Sequence, residues 1–593
     1  MKKRALTVLL TAAMTMSLFA GCGNGDKDSG SQAGDSSQAD SGAQSRESAG
    51  EGEADSREEA GSGDEAGESS ADDLSQHREI SAWLYADDYK YFGSRDESPL
   101  VKYLNEKFNC TVTFQQPPVG SETDSFNLML GSSEYTDVME LTYSIDSPAT
   151  LYEDGVIIDL APYLETYMPN YYAWLNDPAH EEERRALYDD EGHCFVITAE
   201  AGDGTPSLVW GGMVYRKDII DTMTGGSPAY PSGNQEPVTV ADWEYMLELM
   251  KQYFDAANLA DSAALILPYQ GYFPTGELLN GFGVGGGFYV EDGQVHYGPT
   301  EQGFYNYLVK MHEWYEKGYI YQDFASRTND LFYQPNSALT YGGSAGVFFG
   351  GYWQLEEKMS MPDYGLNMMV KALPSPLDAE HGENGDFGII GMDGGFSGTS
   401  GVWGVSTACS MENMIRFMTW SDYMFTEEGS MMKKYGFTGE LAAADSLYQE
   451  LGLEKGIYWF DENGNFVQDE RIVSGEIEGM GLGGNRLPGM NANKWGYALT
   501  EQSWLDADKV WASLGKENNY PNGATLTAQE SASFTDYYNK FQDYSNSMIP
   551  KFIMGTEELT EESFGAYVAQ MNEYGVQESV KLYQAAYERY LNR

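Results

Sequence analysis

The stretch GGSAGVFFGGYW, residues 342–353, places a short apolar run between two pairs of glycines. Residues 345–349 have the composition of a buried strand. Two amphipathic aromatic residues, Tyr352 and Trp353, follow the second glycine pair directly. Tyr and Trp offer an apolar ring face together with a polar edge. The pattern therefore predicts a strand whose end presents aromatic rings, as a stacking platform for a ligand would.

Two catalytic motifs overlap with glycine-rich stretches of the chain. Residues 342–346 fit G-x-S-x-G around Ser344, but a nucleophile elbow needs a helix after the serine and a later histidine. A strand-like run follows Ser344, and the one later histidine, His381, stands in a loop-like sequence. Residues 281–286 (GFGVGG) fit a dinucleotide motif, but a hairpin pattern follows where a helix is needed. Both activities are therefore disfavoured.

Working outward, strand and helix patterns alternate along most of the chain. Residues 79–84 alternate like a strand, residues 98–109 carry a helical apolar stripe, and residues 111–114 read as the next strand. This β-α-β opening predicts a parallel sheet and an α/β class with additional C-terminal helices. Thr239 is suited to cap a helix whose apolar stripe belongs to the core. That stripe consists of Trp243, Met246, Leu247, Met250 and Phe254.

Length and charge limit the possible domain organisation and the possible ligands. From Arg78 onward the chain has roughly 515 residues, more than one hydrophobic core usually serves, so two lobes are expected. The formal net charge of −57 disfavours nucleic acid, anionic membranes and polyanionic ligands, and leaves neutral or cationic ligands. Aromatic residues make up 14% of the chain, with 43 tyrosines, which suits a polar, ring-shaped ligand.

Cysteine and histidine usage gives no sign of a metal or cofactor. Cys110 and Cys194 stand in strand-like runs and are expected to be buried, while a single disulfide among these two and Cys409 is left open. The six histidines are scattered, so a zinc site is not predicted. Residues 461–465 offer oxygens at alternate positions, as a calcium loop does, but fit a hairpin turn better. No cofactor is expected.

The N-terminus has the pattern of an export signal. A basic start and an apolar run lead to LFAGC at residues 18–22, which resembles a bacterial lipobox and predicts cleavage before Cys22 and lipidation of its thiol. Residues 23–77 are rich in Gly, Ser and acidic residues and are expected to form a flexible tether. The mature chain is therefore predicted outside the cytoplasm, lipid-anchored to the outer face of the cell membrane and touching it only through the anchor.

Several segments, in order, carry a family resemblance. TDVM at 136–139 is followed by LYEDGVIIDLAPYLETYMPNY, then MVYRKDII at 213–220, and later FMTWSDYMFTEEGSMMKKYG at 417–436. These passages resemble extracellular solute-binding lipoproteins of bacterial carbohydrate ABC importers, related to maltodextrin-binding proteins. The opening stretch resembles that family's G-x-x-A-M-x-x-x-G-x-W, whose tryptophan stacks on a sugar ring. Trp353 occupies that position.

The resemblance implies a two-lobed fold that closes on its ligand about a hinge. It places the first lobe at residues 78–210 and 381–435, and the second lobe at residues 211–380 and 436–593. It further implies a monomer that captures a carbohydrate, expected to be an oligosaccharide, and delivers it to the permease of an ABC importer. Such a protein is not an enzyme.

The resemblance also implies which side chains meet the ligand. Trp353 and its neighbour Tyr352 are the first of these. The other positions follow predicted strands or lie where related proteins place stacking and acidic residues. They are Asp87, Asp88, Tyr143, Trp210, Tyr269, Tyr272 and Trp403.

Two alternatives remain open at this stage. A surface glycoside hydrolase would use a pair of carboxylates, and the 92 acidic residues supply many chance pairs. A solute-binding protein for peptides or another non-sugar ligand would share the fold, and the acidic charge would then favour cations.

Overall fold

A computed structural model describes most of the chain from Leu74 onward. The described residues are 74–85, 89–119, 121–144, 146–205, 207–259, 261–326, 337–376, 388, 401–473, 476–479, 482–498, 500–513 and 515–593. The predicted signal peptide, Cys22, nearly all of the predicted tether, and Asp87 and Asp88 lie outside them. The folded unit begins at Leu74, whose main-chain oxygen accepts a hydrogen bond from the side-chain amide of Asn109 (2.8 Å). It therefore starts four residues before the predicted boundary at Arg78.

Strands of the described residues are numbered in chain order. They are β1 Arg78–Trp83, β2 Cys110–Gln115, β3 Val138–Glu140, β4 Ile197–Thr198, β5 Gly211–Arg216, β6 Ala263–Leu265, β7 Phe288–Glu291, β8 Gln294–Tyr297, β9 Ala345–Gly351, β10 Val370–Ala372, β11 Val402–Val405, β12 Tyr458–Phe460 and β13 Phe466–Gln468.

Helices of the described residues are numbered in the same way. They are α1 Pro99–Lys107, α2 Glu122–Ser132, α3 Pro148–Glu153, α4 Ala161–Tyr167, α5 Pro169–Leu175, α6 Glu181–Leu187, α7 Lys217–Thr224, α8 Val240–Ala256, α9 Gln302–Glu316, α10 Ser337–Tyr341, α11 Met411–Asp422, α12 Glu427–Tyr435, α13 Gly439–Ala444, α14 Ser446–Glu450, α15 Glu470–Val473, α16 Asn493–Ala498, α17 Gln502–Trp511, α18 Ala528–Met554, α19 Glu561–Glu573 and α20 Val576–Leu591.

The first lobe is built on a five-stranded sheet in the order β2-β1-β3-β11-β4. β1 pairs in parallel with β2 and β3, as the β-α-β opening predicts, while β11 runs antiparallel to β3 and β4. Helix α1 is capped by Ser98, whose hydroxyl accepts a hydrogen bond from the Val101 N–H. Pro99 lies in the first turn, where its lack of an N–H breaks no helical hydrogen bond. Its residues Leu100, Val101 and Leu104 are buried under the sheet.

The second lobe is built on a four-stranded sheet in the order β10-β5-β9-β6. All seven residues of β9, the strand predicted from the opening stretch, are buried. Helix α8 carries the predicted Thr239 cap, since Thr239 and Asp242 form a reciprocal capping box, and its predicted apolar stripe is buried. Trp243 of α8 stacks on Trp314 of α9 with centroids 6.3 Å apart, which ties the two helices into one core.

Side chains from distant parts of the sequence complete each core. The sequence predicts a return to the second lobe after residue 435, but Phe437, Tyr448, Leu453 and Leu487 are buried in the core of the first lobe. The second lobe resumes with α17, and the long C-terminal helix α18 packs against α9. The two short helices α13 and α14 present apolar side chains that fit the first core, which explains the later crossing.

Three crossing segments fix which edges of the sheets meet. Residues 199–210 join the end of β4 to the start of β5, and a second crossing joins β10 to β11. The third runs beside the first, because the N–H of Gly489 donates to Thr198 O (3.1 Å) and that of Asn491 to Ala201 O (2.8 Å). Each crossing starts or ends where the parallel strands of a sheet have their carboxyl ends. We call these two facing rims the junction edges of the lobes.

Several local features complete the fold. Cys110, Cys194 and Cys409 are free thiols, which settles the open question of a disulfide among them. The predicted hairpin at 461–465 is present, and the Asp461 carboxylate accepts the N–H groups of Asn463 and Asn465, each at 2.8 Å. Within the described residues, no helix combines the length and the apolar character that crossing a bilayer requires.

Candidate functional site

Four aromatic side chains form a continuous band at the junction edge of the second lobe. We define the aromatic band as Trp210, Tyr352, Trp353 and Trp504. Trp353 stacks on Trp210 (centroids 5.6 Å apart, planes at 17°) and meets Tyr352 edge-on at 5.3 Å. Tyr352 in turn stacks on Trp504 at 3.8 Å with planes at 7°. All four side chains are half-buried, so the band keeps part of its apolar surface accessible.

The glycines of the opening stretch explain how Trp353 reaches this place. Strand β9 ends at Gly351, and the chain then makes one tight helical turn over residues 352–354. A Cβ on Gly351 would come within 2.4–2.6 Å of the Trp353 ring, so only glycine lets the indole lie over the strand end. The Gly351 N–H donates to the Gln354 side chain (3.0 Å), which closes the turn. Ser344 precedes a strand rather than a helix, so it lacks the setting of a nucleophile elbow.

Helix α17 supplies the fourth ring and fastens the band to the sheet. The Trp504 indole N–H donates to Val209 O (3.0 Å), and that of Trp511 to Met213 O (3.0 Å). Gly212 leaves the space for Trp511, since a Cβ there would lie 2.5 Å from its ring. Trp504 is not predicted from the sequence, because nothing in the local pattern of α17 distinguishes an outward tryptophan from a core residue.

A small polar cavity of about 30 Å³ opens beside the band, large enough for a water molecule or a ligand hydroxyl. Its lining combines main chain of β5 with polar side chains. These lining residues include Gly211, Gly212, Glu277, Asn280, Ser375 and Trp511. Burial raises the pKa of Glu277 to about 7, and the Thr275 hydroxyl bond opposes that rise. The cavity therefore places hydrogen-bonding groups next to the aromatic surface.

The junction edge of the first lobe carries a second aromatic group. Tyr85 follows β1 and Tyr143 follows β3, and their rings lie 5.2 Å apart. The guanidinium of Arg486 lies over the Tyr85 ring at 4.3 Å. Tyr85 is buried, and its hydroxyl has no hydrogen-bond partner among the described residues. An aromatic surface, a hydroxyl and a cation thus meet at the carboxyl ends of the parallel strands, where ligands bind in open α/β sheets.

Glu140, the last residue of β3, is fully buried between this group and the core. One carboxylate oxygen accepts the N–H (3.2 Å) and the hydroxyl of Thr142, while the other has no partner within the described part of the chain. Burial raises the pKa of Glu140 to about 7, the Thr142 hydrogen bonds oppose this, and the charge of Glu200 adds to it. Near neutral pH the carboxyl group can therefore carry a proton and act as a donor.

The structure places the predicted site residues that it describes in four environments. Trp353, Tyr352 and Trp210 lie together in the aromatic band, and Tyr143 lies at the opposite junction edge. Tyr269 is half-buried in the loop that follows β6. The remaining two are core residues: Tyr272 packs edge-on against Phe304 (5.2 Å), and Trp403 is fully buried, with its indole N–H on Arg486 O (2.8 Å).

An ion cluster links the lobes at the end of the chain. Asp190, in the loop after α6 of the first lobe, pairs with Arg589 of α20 (2.7 Å) and with the C-terminal residue Arg593 (2.7 Å). Arg589 also pairs with Glu530 of α18 (2.5 Å), and the Arg593 guanidinium donates to Arg185 O (2.9 Å). These contacts couple the C-terminal helix to the first lobe and thereby favour the arrangement of lobes seen here.

Asp190→Asn is expected to weaken ligand affinity by up to about tenfold, because the cluster is partly exposed and screened by solvent. In small-angle scattering of the ligand-free chain, the radius of gyration should also increase. Glu578→Gln is the matched control, since it removes an exposed ion pair (2.7 Å) from the same helix without touching the first lobe. Equal effects of both variants would show that the cluster does not couple the lobes.

No protein-family model matches the sequence, and no curated protein matches it. Solved structures do match over 86–87% of this chain and 99% of theirs. One is an HMO-binding, ABC-transporter-associated solute-binding protein from Bifidobacterium longum infantis (18% identity, TM-score 0.67). Another is an extracellular solute-binding protein from Bifidobacterium longum subsp. infantis (17%, 0.67).

A third match is the ABC-transporter substrate-binding protein FusA of S. pneumoniae in complex with kestose (16% identity, TM-score 0.61). At these identities the likeness defines the fold. The chain has the two-lobed α/β fold of ABC-transporter solute-binding proteins, as the sequence analysis predicts.

Proposed function

We propose that the chain is a carbohydrate-binding protein that captures an oligosaccharide between its lobes and hands it to an ABC importer. The observation that carries the proposal is the aromatic band at the junction edge of the second lobe. Sugar rings have apolar C–H faces that pack on indole and phenol rings, while their hydroxyls need polar partners. The neighbouring cavity with Glu277, and Tyr143 on the opposite edge, supply such partners.

Closure of the two lobes about the crossing segments is the proposed mechanism. A ligand that contacts both junction edges stabilises the closed arrangement by its differential affinity for it. The closed surface is then what a permease recognises, and no bond is made or broken. The matched structures support this, since they include an HMO-binding protein and a substrate-binding protein in complex with kestose, each associated with an ABC transporter.

Attachment outside the cell membrane belongs to the same proposal. The lipobox-like LFAGC sequence and the Gly/Ser-rich segment after Cys22 support a lipid anchor followed by a tether. Mass spectrometry of the chain from membranes should find a diacylated Cys22 as the first residue. Cys22→Ala should release the protein into the medium, and an unmodified N-terminus would contradict the anchor.

Trp353→Ala is expected to weaken oligosaccharide binding by about 10- to 100-fold, because losing a central aromatic contact should cost about 1.4–2.8 kcal/mol of binding free energy. A thermal-shift screen of the full chain against a glycan panel finds the ligand, because binding stabilises the folded state by mass action. Isothermal titration calorimetry then measures the affinity of each variant.

Trp459→Ala is the matched control, because Trp459 is also half-buried but lies on the β12–β13 hairpin, outside the aromatic band. If both variants bind like the wild type, Trp353 has no part in binding. Chromatography of the glycans after incubation tests for a hydrolase: unchanged glycans support capture alone, and cleavage products would refute it.

A further inference from the structure

A half-buried arginine at the first junction edge differs from the fully buried arginines among the described residues. The Arg486 guanidinium lies 4.3 Å over the Tyr85 ring at the first junction edge. Among the described residues, no carboxylate lies within 4.0 Å of its nitrogens and no group accepts a hydrogen bond from them. Burial lowers the pKa of Arg486 to about 10, which still leaves it charged at neutral pH.

The three arginines that are fully buried within the described residues each donate to at least one acceptor. Arg216 forms an ion pair with Asp218 (2.7 Å), Arg95 donates to Gly483 O (3.2 Å), and Arg416 donates to Phe108 O (2.7 Å). Desolvating a cation without a partner costs several kcal/mol, so folded proteins supply partners. In a chain of net charge −57, an arginine that faces no described acid therefore points to an acceptor that arrives from outside.

The loop that carries Arg486 is held in place on both sides. The Arg95 guanidinium donates to Gly483 O and Asn485 O (3.2 and 3.1 Å), and the Trp403 indole donates to Arg486 O (2.8 Å). Arg486 itself has φ +68°, a left-handed conformation that costs a side-chain-bearing residue about 1 kcal/mol or more. The Tyr85 ring supports the guanidinium from below. Its position is thus set before any ligand binds, which lowers the entropy cost of a bidentate contact.

We propose that Arg486 binds a carboxylate of the ligand, so that the oligosaccharide of the proposed function contains an acidic sugar such as a uronic or sialic acid. A planar guanidinium matches a carboxylate through two parallel N–H···O bonds. One cation balances one negative charge, and the acidic surroundings disfavour a dianion such as a phosphate monoester.

The test compares acidic glycans with neutral partners of the same size. The probes are galacturonate oligomers against their methyl esters, and 3′-sialyllactose against lactose, titrated calorimetrically into the full chain. The wild type should bind at least one acid about 10-fold or more tightly than its neutral partner. Arg486→Gln should lose about 10- to 100-fold for the acid and stay within about twofold for the neutral glycan. Arg486→Lys should recover part of the loss, since it keeps the charge but not the planar fork.

Lys102→Gln is the charge-matched control, because it removes one cation from an exposed position on α1 of the same lobe. If Arg486→Gln does not fold, salt dependence replaces it: raising NaCl from 20 to 500 mM should weaken binding of the acid far more than binding of its neutral partner.

The outcomes separate this inference from the proposed function on which it rests. Tight binding of neutral glycans, without preference for acids and without an effect of Arg486→Gln, would overturn the inference and leave carbohydrate capture intact. Preference for sulfated over carboxylated glycans would also overturn it. Binding of no glycan at all would overturn both.

Discussion

Glu140→Gln is expected to raise the free energy of unfolding of the first lobe at pH 8 by about 2–3 kcal/mol more than it does at pH 5. Burial raises the pKa of Glu140 from 4.5 to about 7, so the folded state binds more protons than the unfolded state between these values. The stability of the wild type therefore falls as pH rises through that window. Glutamine keeps an acceptor for Thr142 but has no charge to desolvate.

Urea unfolding of both proteins at pH 5 and pH 8, followed by tryptophan fluorescence, measures the difference. Glu427→Gln is the control, because its side chain is 82% exposed and the substitution removes the same formal charge from the same lobe. A gain of equal size at both pH values would mean that Glu140 is not desolvated in the folded state. A smaller gain at pH 8 than at pH 5 would mean that its carboxylate is paired in the folded state.

The sheets and the aromatic band were largely predictable, because their signals are local. Apolar runs such as residues 345–349 form strands where a sheet can bury them. The glycine pair before Tyr352 indicates the turn that follows. Trp504 was not predictable in the same way, since it stacks on a ring some 150 residues earlier in the chain. No periodicity within α17 contains that information.

Net charge proved a poor guide to the local electrostatics of the site. A composition of 92 acidic against 35 basic residues predicts repulsion of anionic ligands by the whole surface. Arg486 nevertheless sits at the junction edge, in a glycine-rich stretch with no recognisable motif. The role proposed for Arg486 depends on its contact with Tyr85, which is 401 positions earlier in the sequence. Only the fold shows that the two meet.

Contacts between distant residues also explain why the chain crosses to the second lobe later than the crossing predicted after residue 435. Helices α13 and α14 are short, and their few apolar residues could serve either core. Packing decides the matter: the Tyr448 hydroxyl accepts the Phe437 N–H (2.8 Å), and the two rings stack at 5.5 Å within the first lobe. Trp403 shows the converse, because a strand tryptophan that was expected to meet ligand supports the Arg486 loop from inside the core instead.

Arg416→Met is expected to lower the free energy of unfolding of the first lobe by about 3–5 kcal/mol. The guanidinium is completely buried and donates from one nitrogen to Phe108 O and Asn109 O, each at 2.7 Å, and from another to Gln76 O at 3.1 Å. Methionine fills much of the volume but removes the guanidinium donors of Phe108 O and Gln76 O, and it leaves Asn109 O with the longer hydrogen bond from the Arg78 N–H (3.3 Å). The cost should appear as a lower urea midpoint with an unchanged slope.

The substitution should lower stability without changing ligand affinity, because Phe108 and Asn109 precede β2 at the end opposite its junction edge. Arg471→Met is the matched control: Arg471 pairs with Asp469 at 2.9 Å in the same lobe, but its side chain is 33% exposed, so its loss should lower the urea midpoint much less. The folded Arg416 variant should keep the glycan affinity of the wild type at low temperature. Equal losses of stability from both substitutions would show that the carbonyl groups around Arg416 find other donors. A loss of glycan affinity in the folded Arg416 variant would show that Arg416 also sets the position of the strand ends that carry Tyr85.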